Sequence, residues 1–253
     1  MFRKTLLALL LAASGVSAHA ALNTGDIAFT SFNADEDGLS FVAFSSIAAN
    51  TNIYFTDNEW TGSAFNTGES YNQWNSGSSA IAAGTVVRFI AYDKATLSAS
   101  IGALSRVSVA SNTNWGLANS TETVYAYLGS SVSAPTTFLS AITNGTFAAD
   151  GPLTGTGLTE GINAIRLNTL APAASPDYAE YNGSRAGEAT FDAYKSQVAN
   201  VANWSVDTTN GTYTTTVPNT TAFTVAVPEP ESYALFLAGL GLMGTIARRR
   251  RAL

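Results

Sequence analysis

IAFTSF at residues 27–32 and LSFVAFSSI at 39–47, joined by NADEDG at 33–38, decide the fold class. Both runs are built from aromatic and β-branched side chains, which pack well on a pleated, half-buried surface. NADEDG supplies the turn. The same texture continues in NIYFTD (52–57), GTVVRFIAY (84–92), TVYAYLG (123–129), NAIRLN (163–168), TYTTTV (212–217) and AFTVAV (222–227). Clusters such as NTG, NSGSS, TNG, DGPLTGTG and TTNG separate the runs, and Asn210-Gly211, just before TYTTTV, predicts a hairpin turn between polar strands. Only EATFDAYKSQVANVANW (188–204) reads as helix, with Phe191, Tyr194, Val198 and Val201 at roughly helical spacing. Short, regularly spaced strands with one or two short helices predict an all-β fold, a single β-sandwich.

The two ends of the chain follow different rules. At the start, Arg3 and Lys4 precede the apolar LLALLLAA (6–13), and Ala18-His19-Ala20 forms an A-x-A site. That arrangement predicts a signal peptide over residues 1–20, cut after Ala20, with Ala18 and Ala20 as the small cleavage-site residues. At the finish stands VPEPESYALFLAGLGLMGTIARRRRAL (227–253). Pro228 and Pro230 deny a helix any start before about Glu231. Residues 233–247 then carry no charge, and their apolar character runs all the way round, which suits lipid better than a protein surface. Arg248, Arg249, Arg250 and Arg251 are expected to stop the segment on the cytoplasmic side of a membrane. A single membrane helix over 233–247 is the expectation, short against the ~20 residues of a comfortable span.

Pro228-Glu229-Pro230, an apolar run and an arginine cluster in that order resemble the PEP-CTERM sorting tail of Gram-negative bacteria. The resemblance implies that an exosortase-type membrane peptidase recognises Pro228, Glu229 and Pro230 and cuts nearby. It also implies transient anchoring, then release to the cell surface or extracellular matrix. The chain thus divides into a signal peptide (1–20), a body (21–226) and a sorting tail (227–253).

Composition narrows the chemistry of the body. The single histidine, His19, falls in the signal peptide, and cysteine is absent. Disulfides, thiol nucleophiles, histidine bases and the usual zinc sites are therefore excluded from the body. Arg3, Lys4 and the four tail arginines make up half of the 12 basic residues, and Glu229 and Glu231 belong to the tail. The body keeps six basic and 16 acidic residues, a net charge of −10. Such a surface repels nucleic acid and anionic membranes. No cofactor is expected.

Residues 25–89, GDIAFTSFNADEDGLSFVAF…IAANTNIYFTDNEW…GE…W…IAAGTVVRF, resemble a module found at the start of various bacterial surface proteins. The resemblance implies an Ig-like or lamin-tail-like sandwich with no catalytic motif attached.

Three clusters are candidate sites. Asn33, Asp35, Asp37 and Gly38 copy the first half of an EF-hand loop, but Phe44 occupies the twelfth position where a bidentate glutamate is needed, so only a looser calcium site through Asn33, Asp35 and Asp37 is a candidate. Asp57 and Glu59, two apart, would face one side if the strand continued through them, a spacing that suits acid–base hydrolysis of a glycoside. Trp60, Tyr71 and Trp74 are candidates for stacking on sugar rings beside Glu59 and Glu69. The favoured reading is a non-enzymatic exported protein of the surface or exopolysaccharide matrix. The alternatives are a polysaccharide-binding module assisted by calcium, and a carboxylate-based glycosidase.

Overall fold

The computed structural model describes residues 21–92, 94–109, 116–170, 175–227 and 234–243. The opening hairpin forms where its sequence predicts, with β1 (Ile27–Asn33) antiparallel to β2 (Gly38–Ala43). Strict alternation would send Phe29 and Phe32 to opposite faces. Both are nevertheless buried in one core. The register slips between Phe29 and Ser31, and this bulge inserts the residue that returns Phe32 to the inner side.

One sheet has the order β13 (Trp204–Val206), β11 (Tyr178–Tyr181), β1, β2, β5 (Val86–Ile90), β6 (Ser98–Ala99). The other runs β10 (Ala164–Arg166), β9 (Ala134–Thr143), β8 (Thr123–Ser131), β3 (Asn52–Thr56), β4 (Tyr71–Asn75), β7 (Ala103–Arg106). Phe29, Phe41 and Phe89 of the first sheet meet Phe55 and Trp74 of the second in mostly edge-on ring contacts, so the sheets pack through an aromatic core.

The second sheet is covered on its other face too. Along β8, Val124 and Ala126 belong to the inter-sheet core, whereas Tyr125 and Tyr127 join a second cluster with Trp60, Phe65, Tyr71, Phe138, Phe147 and Leu158. The loops carrying Trp60, Phe65, Phe147 and Leu158 form that cover. A strand buried on both sides reads as continuous apolar sequence, which is why TVYAYLG carries large residues at both parities.

Several expectations need correction. The helix predicted over 188–204 is only α1 (Ala193–Ala199), followed by a single 3-10 turn, Val201–Asn203. Asn200 adopts an extended conformation and its side chain accepts from the Ala202 amide, which ends one helix and starts the turn. TYTTTV is not a strand, and no hairpin forms at Asn210-Gly211. Instead the Asp207 carboxylate collects the amides of Thr209 and Gly211 and folds the segment onto itself. Of AFTVAV, only β14 (Thr224–Val225) pairs, in parallel, with β12 (Ala186–Glu188). In the tail, residues 234–243 are helical and exposed. Among the described residues no helix is long and apolar enough to cross a membrane. Ten residues rise only about 15 Å against a hydrocarbon core of about 30 Å. Tyr233 and residues 244–247, the rest of the expected span, lie outside the described residues.

Candidate functional site

The three aromatics expected to stack on sugars do not form a platform. Trp60, Tyr71 and Trp74 are 7%, 2% and 0% exposed. Tyr71 and Trp74 both lie on β4, but at opposite parity, so the strand points them to opposite faces. Trp74 enters the inter-sheet core and donates its Nε1 hydrogen to the Ile101 carbonyl at 2.8 Å. Trp60 and Tyr71 enter the outer cluster, where Trp60 Nε1 donates to the Thr154 carbonyl at 2.9 Å. Other rings surround them, since Trp60 meets Phe65 and Phe138 edge-on and Tyr71 meets Phe65 edge-on.

The calcium candidates are likewise spent on the fold. Asp37, buried, accepts the Leu117 amide at 2.7 Å and pairs with Lys94. Asp35 accepts the Tyr213 amide at 2.6 Å. Asn33 donates to the Tyr213 carbonyl at 2.9 Å and accepts the Glu36 amide at 3.1 Å. The carboxylates of NADEDG therefore reach outward to three different segments instead of converging. Among the described residues, no group of three or more His, Cys, Asp or Glu is placed to hold a metal.

Asp57 and Glu59 do not share a strand face, because β3 stops at Thr56. Asp57 turns inward and accepts from the Ser70 amide at 3.0 Å and the Ser70 hydroxyl at 2.9 Å. Glu59 instead accepts from the Asn66 amide group. The two carboxyls are held by different partners, Asp57 by Ser70 and Glu59 by Asn66.

A carboxyl that sequence reasoning missed is more perturbed. Glu122 sits directly before β8, 5% exposed. Burial, with the Asp57 charge added, pushes its pKa up to about 9, although the Ala118 and Thr123 amides donate to it at 3.0 and 3.1 Å. Glu122 is thus protonated at neutral pH. Burial and Asp57 also raise the Tyr71 phenol to about 12. The only sequence signal was a glutamate abutting the aromatic-rich run TVYAYL.

The segment before the tail was also misjudged, and it is fastened along the body. Tyr213 stacks on Tyr178 with ring centroids 4.7 Å apart. Further on, the Asn219 amide donates to Glu180, and Arg185 donates to the Thr221 carbonyl at 3.0 Å. Phe223 then plugs the core at 2% exposure, against Phe44, Tyr181 and Tyr194, with the Arg185 guanidinium 4.9 Å from its ring centre. Gly84 makes this seat. Its φ is +87°, and a Cβ there would collide with the Phe223 carbonyl. Tyr194 Oη donates to the Thr224 carbonyl at 2.7 Å, and the Ala226 amide donates to the Glu188 carbonyl at 2.7 Å.

The remaining predicted residues, Ala18 and Ala20 at the start, Pro228, Glu229 and Pro230, and Arg248, Arg249, Arg250 and Arg251, lie outside the described residues. The family model of the PEP-CTERM protein-sorting motif matches residues 226–251. No curated protein matches the chain, and no solved structure does. The chain carries a PEP-CTERM sorting motif beginning where the clamped segment ends, which marks it for export and for processing by an exosortase, a membrane peptidase.

Proposed function

We propose that this chain is a non-enzymatic protein of the cell surface or exopolysaccharide matrix of a Gram-negative bacterium, with a β-sandwich body delivered there by its tail. The sorting motif over residues 226–251 carries the reading. The apolar segment 233–247 serves as a transient anchor, Arg248 to Arg251 stay on the cytoplasmic side, and the peptidase acts at Pro228-Glu229-Pro230 outside the bilayer. Snorkelling of Tyr233 and Arg248 lengthens a short span enough to insert.

The body supports a structural role. Trp60, Trp74, Trp204 and the central tyrosines close two cores, and the loop carboxylates tie segments together. Burial of Trp60, Tyr71 and Trp74, and the separate partners of Asp57 and Glu59, support this reading. Replacing Pro228-Glu229-Pro230 by three alanines tests the sorting role. The variant is expected to accumulate as cell-associated precursor with its arginines attached. Release and trimming at the wild-type rate would defeat the proposal.

A further inference from the structure

Both chain ends of the body leave from the same end of the two-sheet structure. At the N-terminal side, the Phe44 amide donates to the Asp26 carbonyl at 2.8 Å, and Lys195 of α1 reaches the Asp26 carboxylate at 3.4 Å. At the C-terminal side, Phe223 packs on the ring of that same Phe44, and Tyr194, next to Lys195, holds the Thr224 carbonyl. Leu22 is buried in the core that also contains Phe44 and Phe223. The opposite end is marked by NADEDG and by Leu117, whose amide bonds Asp37. The seven residues of β1 separate the two ends, about 20 Å at 3.3 Å per residue.

Among the described residues, the clasp is followed as far as Ala226, whose amide bonds the Glu188 carbonyl, and the helical tail is described from residue 234. The seven intervening residues reach at most about 25 Å when fully extended. A domain of about 200 residues has a radius of gyration of roughly 17 Å, and so is wider than its own tether. Without the clasp, the chain from Asp207 onward would add some twenty residues of slack, and the body would tumble freely above the membrane.

We infer that the end of the body formed by β12, β14 and α1 is its membrane-facing surface in the anchored precursor, kept near the lipid headgroup layer by the short tether despite the body's net negative charge, and held in that orientation by Phe223. Phe223 is a positioning residue. It acts on the sorting motif through β14, by fixing how far Pro228 to Pro230 stand from the bilayer. The inference rests on the anchoring role proposed above.

The chain has no cysteine, so single labels are clean. Ala189, beside Glu188, and Ser120, beside Leu117 and Glu122, are both exposed and lie at the two opposite ends. Ala189→Cys and Ser120→Cys precursors, labelled with a fluorophore, are reconstituted into vesicles whose lipids carry a headgroup quencher. Quenching several-fold stronger at position 189 than at 120 is expected. A Gly-Ser linker of about 20 residues inserted after Ala226, with an r.m.s. reach of about 25 Å, should erase the difference while leaving every clasp contact in place. Phe223→Ala should erase it as well. Equal quenching at both positions in precursor that co-floats with vesicles would overturn the orientation and leave the sorting role standing. Precursor that fails to float would overturn both.

Discussion

Trp60 and Trp74 sit on opposite faces of one sheet, each with its indole N–H donated to a loop carbonyl, Thr154 for Trp60 and Ile101 for Trp74. One ring closes the core between the sheets and the other closes the cover over the second sheet. Large-to-small changes at either site leave a cavity that the surroundings fill only in part. Trp60→Ala and Trp74→Ala are each expected to cost about 3–5 kcal/mol, read as a lower urea midpoint. A stability change within experimental error in either variant would mean that the ring is not a core residue.

Glu122 makes stability depend on pH in an unusual direction. Its folded pKa of about 9 lies above its ordinary value of 4.5, so the native state holds a proton that the unfolded chain releases. The stabilisation is complete below pH 4.5 and is lost as pH rises toward about 9. Glu122→Gln removes the proton linkage. Its NH2 cannot accept from one of the two backbone amides, so the variant should melt a few degrees below wild type at pH 4.5, given about 2–4 °C per kcal/mol for a domain of this size. As pH rises to 8 that gap should close or reverse. Parallel melting curves for the two proteins across this range would refute the assignment.

Asp37 is expected to matter for folding and not for calcium. Asp37→Ala strips the Leu117 amide of its acceptor at a buried site, which costs about 1–3 kcal/mol. Because Asp35, Asp37 and Asn33 spend their oxygens on Leu117, Lys94, Tyr213 and Glu36, added calcium should leave the melting temperature of wild type unchanged. A calcium-dependent rise that Asp37→Ala abolishes would restore the metal reading.

Phe223 is the last core residue before the sorting motif, so its loss should be felt by the whole body. Phe223→Ala is expected to cost about 3–5 kcal/mol, whereas Phe223→Leu, closer in volume, should cost under about 1.5 kcal/mol. Chemical denaturation of residues 21–227 gives both numbers. Equal midpoints for wild type and Phe223→Ala would show that the segment after Asp207 is a free spacer.

The fold was legible where a run is buried on one face or where its strand composition is unmixed. IAFTSF and LSFVAFSSI became β1 and β2, and TVYAYLG became β8. Less legible was which face each residue takes. Phe29 and Phe32 share a face only through a bulge, a feature of pairing that no local window contains. YNQWN did not read as a strand because Asn72 and Gln73 dilute it, yet pairing on both sides makes it the interior strand β4. The candidate sites failed for a common reason. Trp60, Tyr71 and Trp74 are neighbours in sequence, but parity and loop closure send them into two cores. Phe223 was hidden in a threonine-rich stretch because its seat is assembled from Phe44, Gly84, Tyr181 and Tyr194, four distant positions. The sorting tail was legible because its signal is linear. Two prolines, an apolar run and four arginines act in order along the chain and need no tertiary partner.

Intact mass spectrometry of the wild-type C-terminus, compared between membrane and extracellular fractions, tests the sorting role most directly. Extracellular protein is expected to end near Pro230 and to lack residues 233–253, while the membrane fraction holds the uncut form. Extracellular protein still carrying Arg248 to Leu253 would contradict removal of the tail and with it the role assigned to this chain.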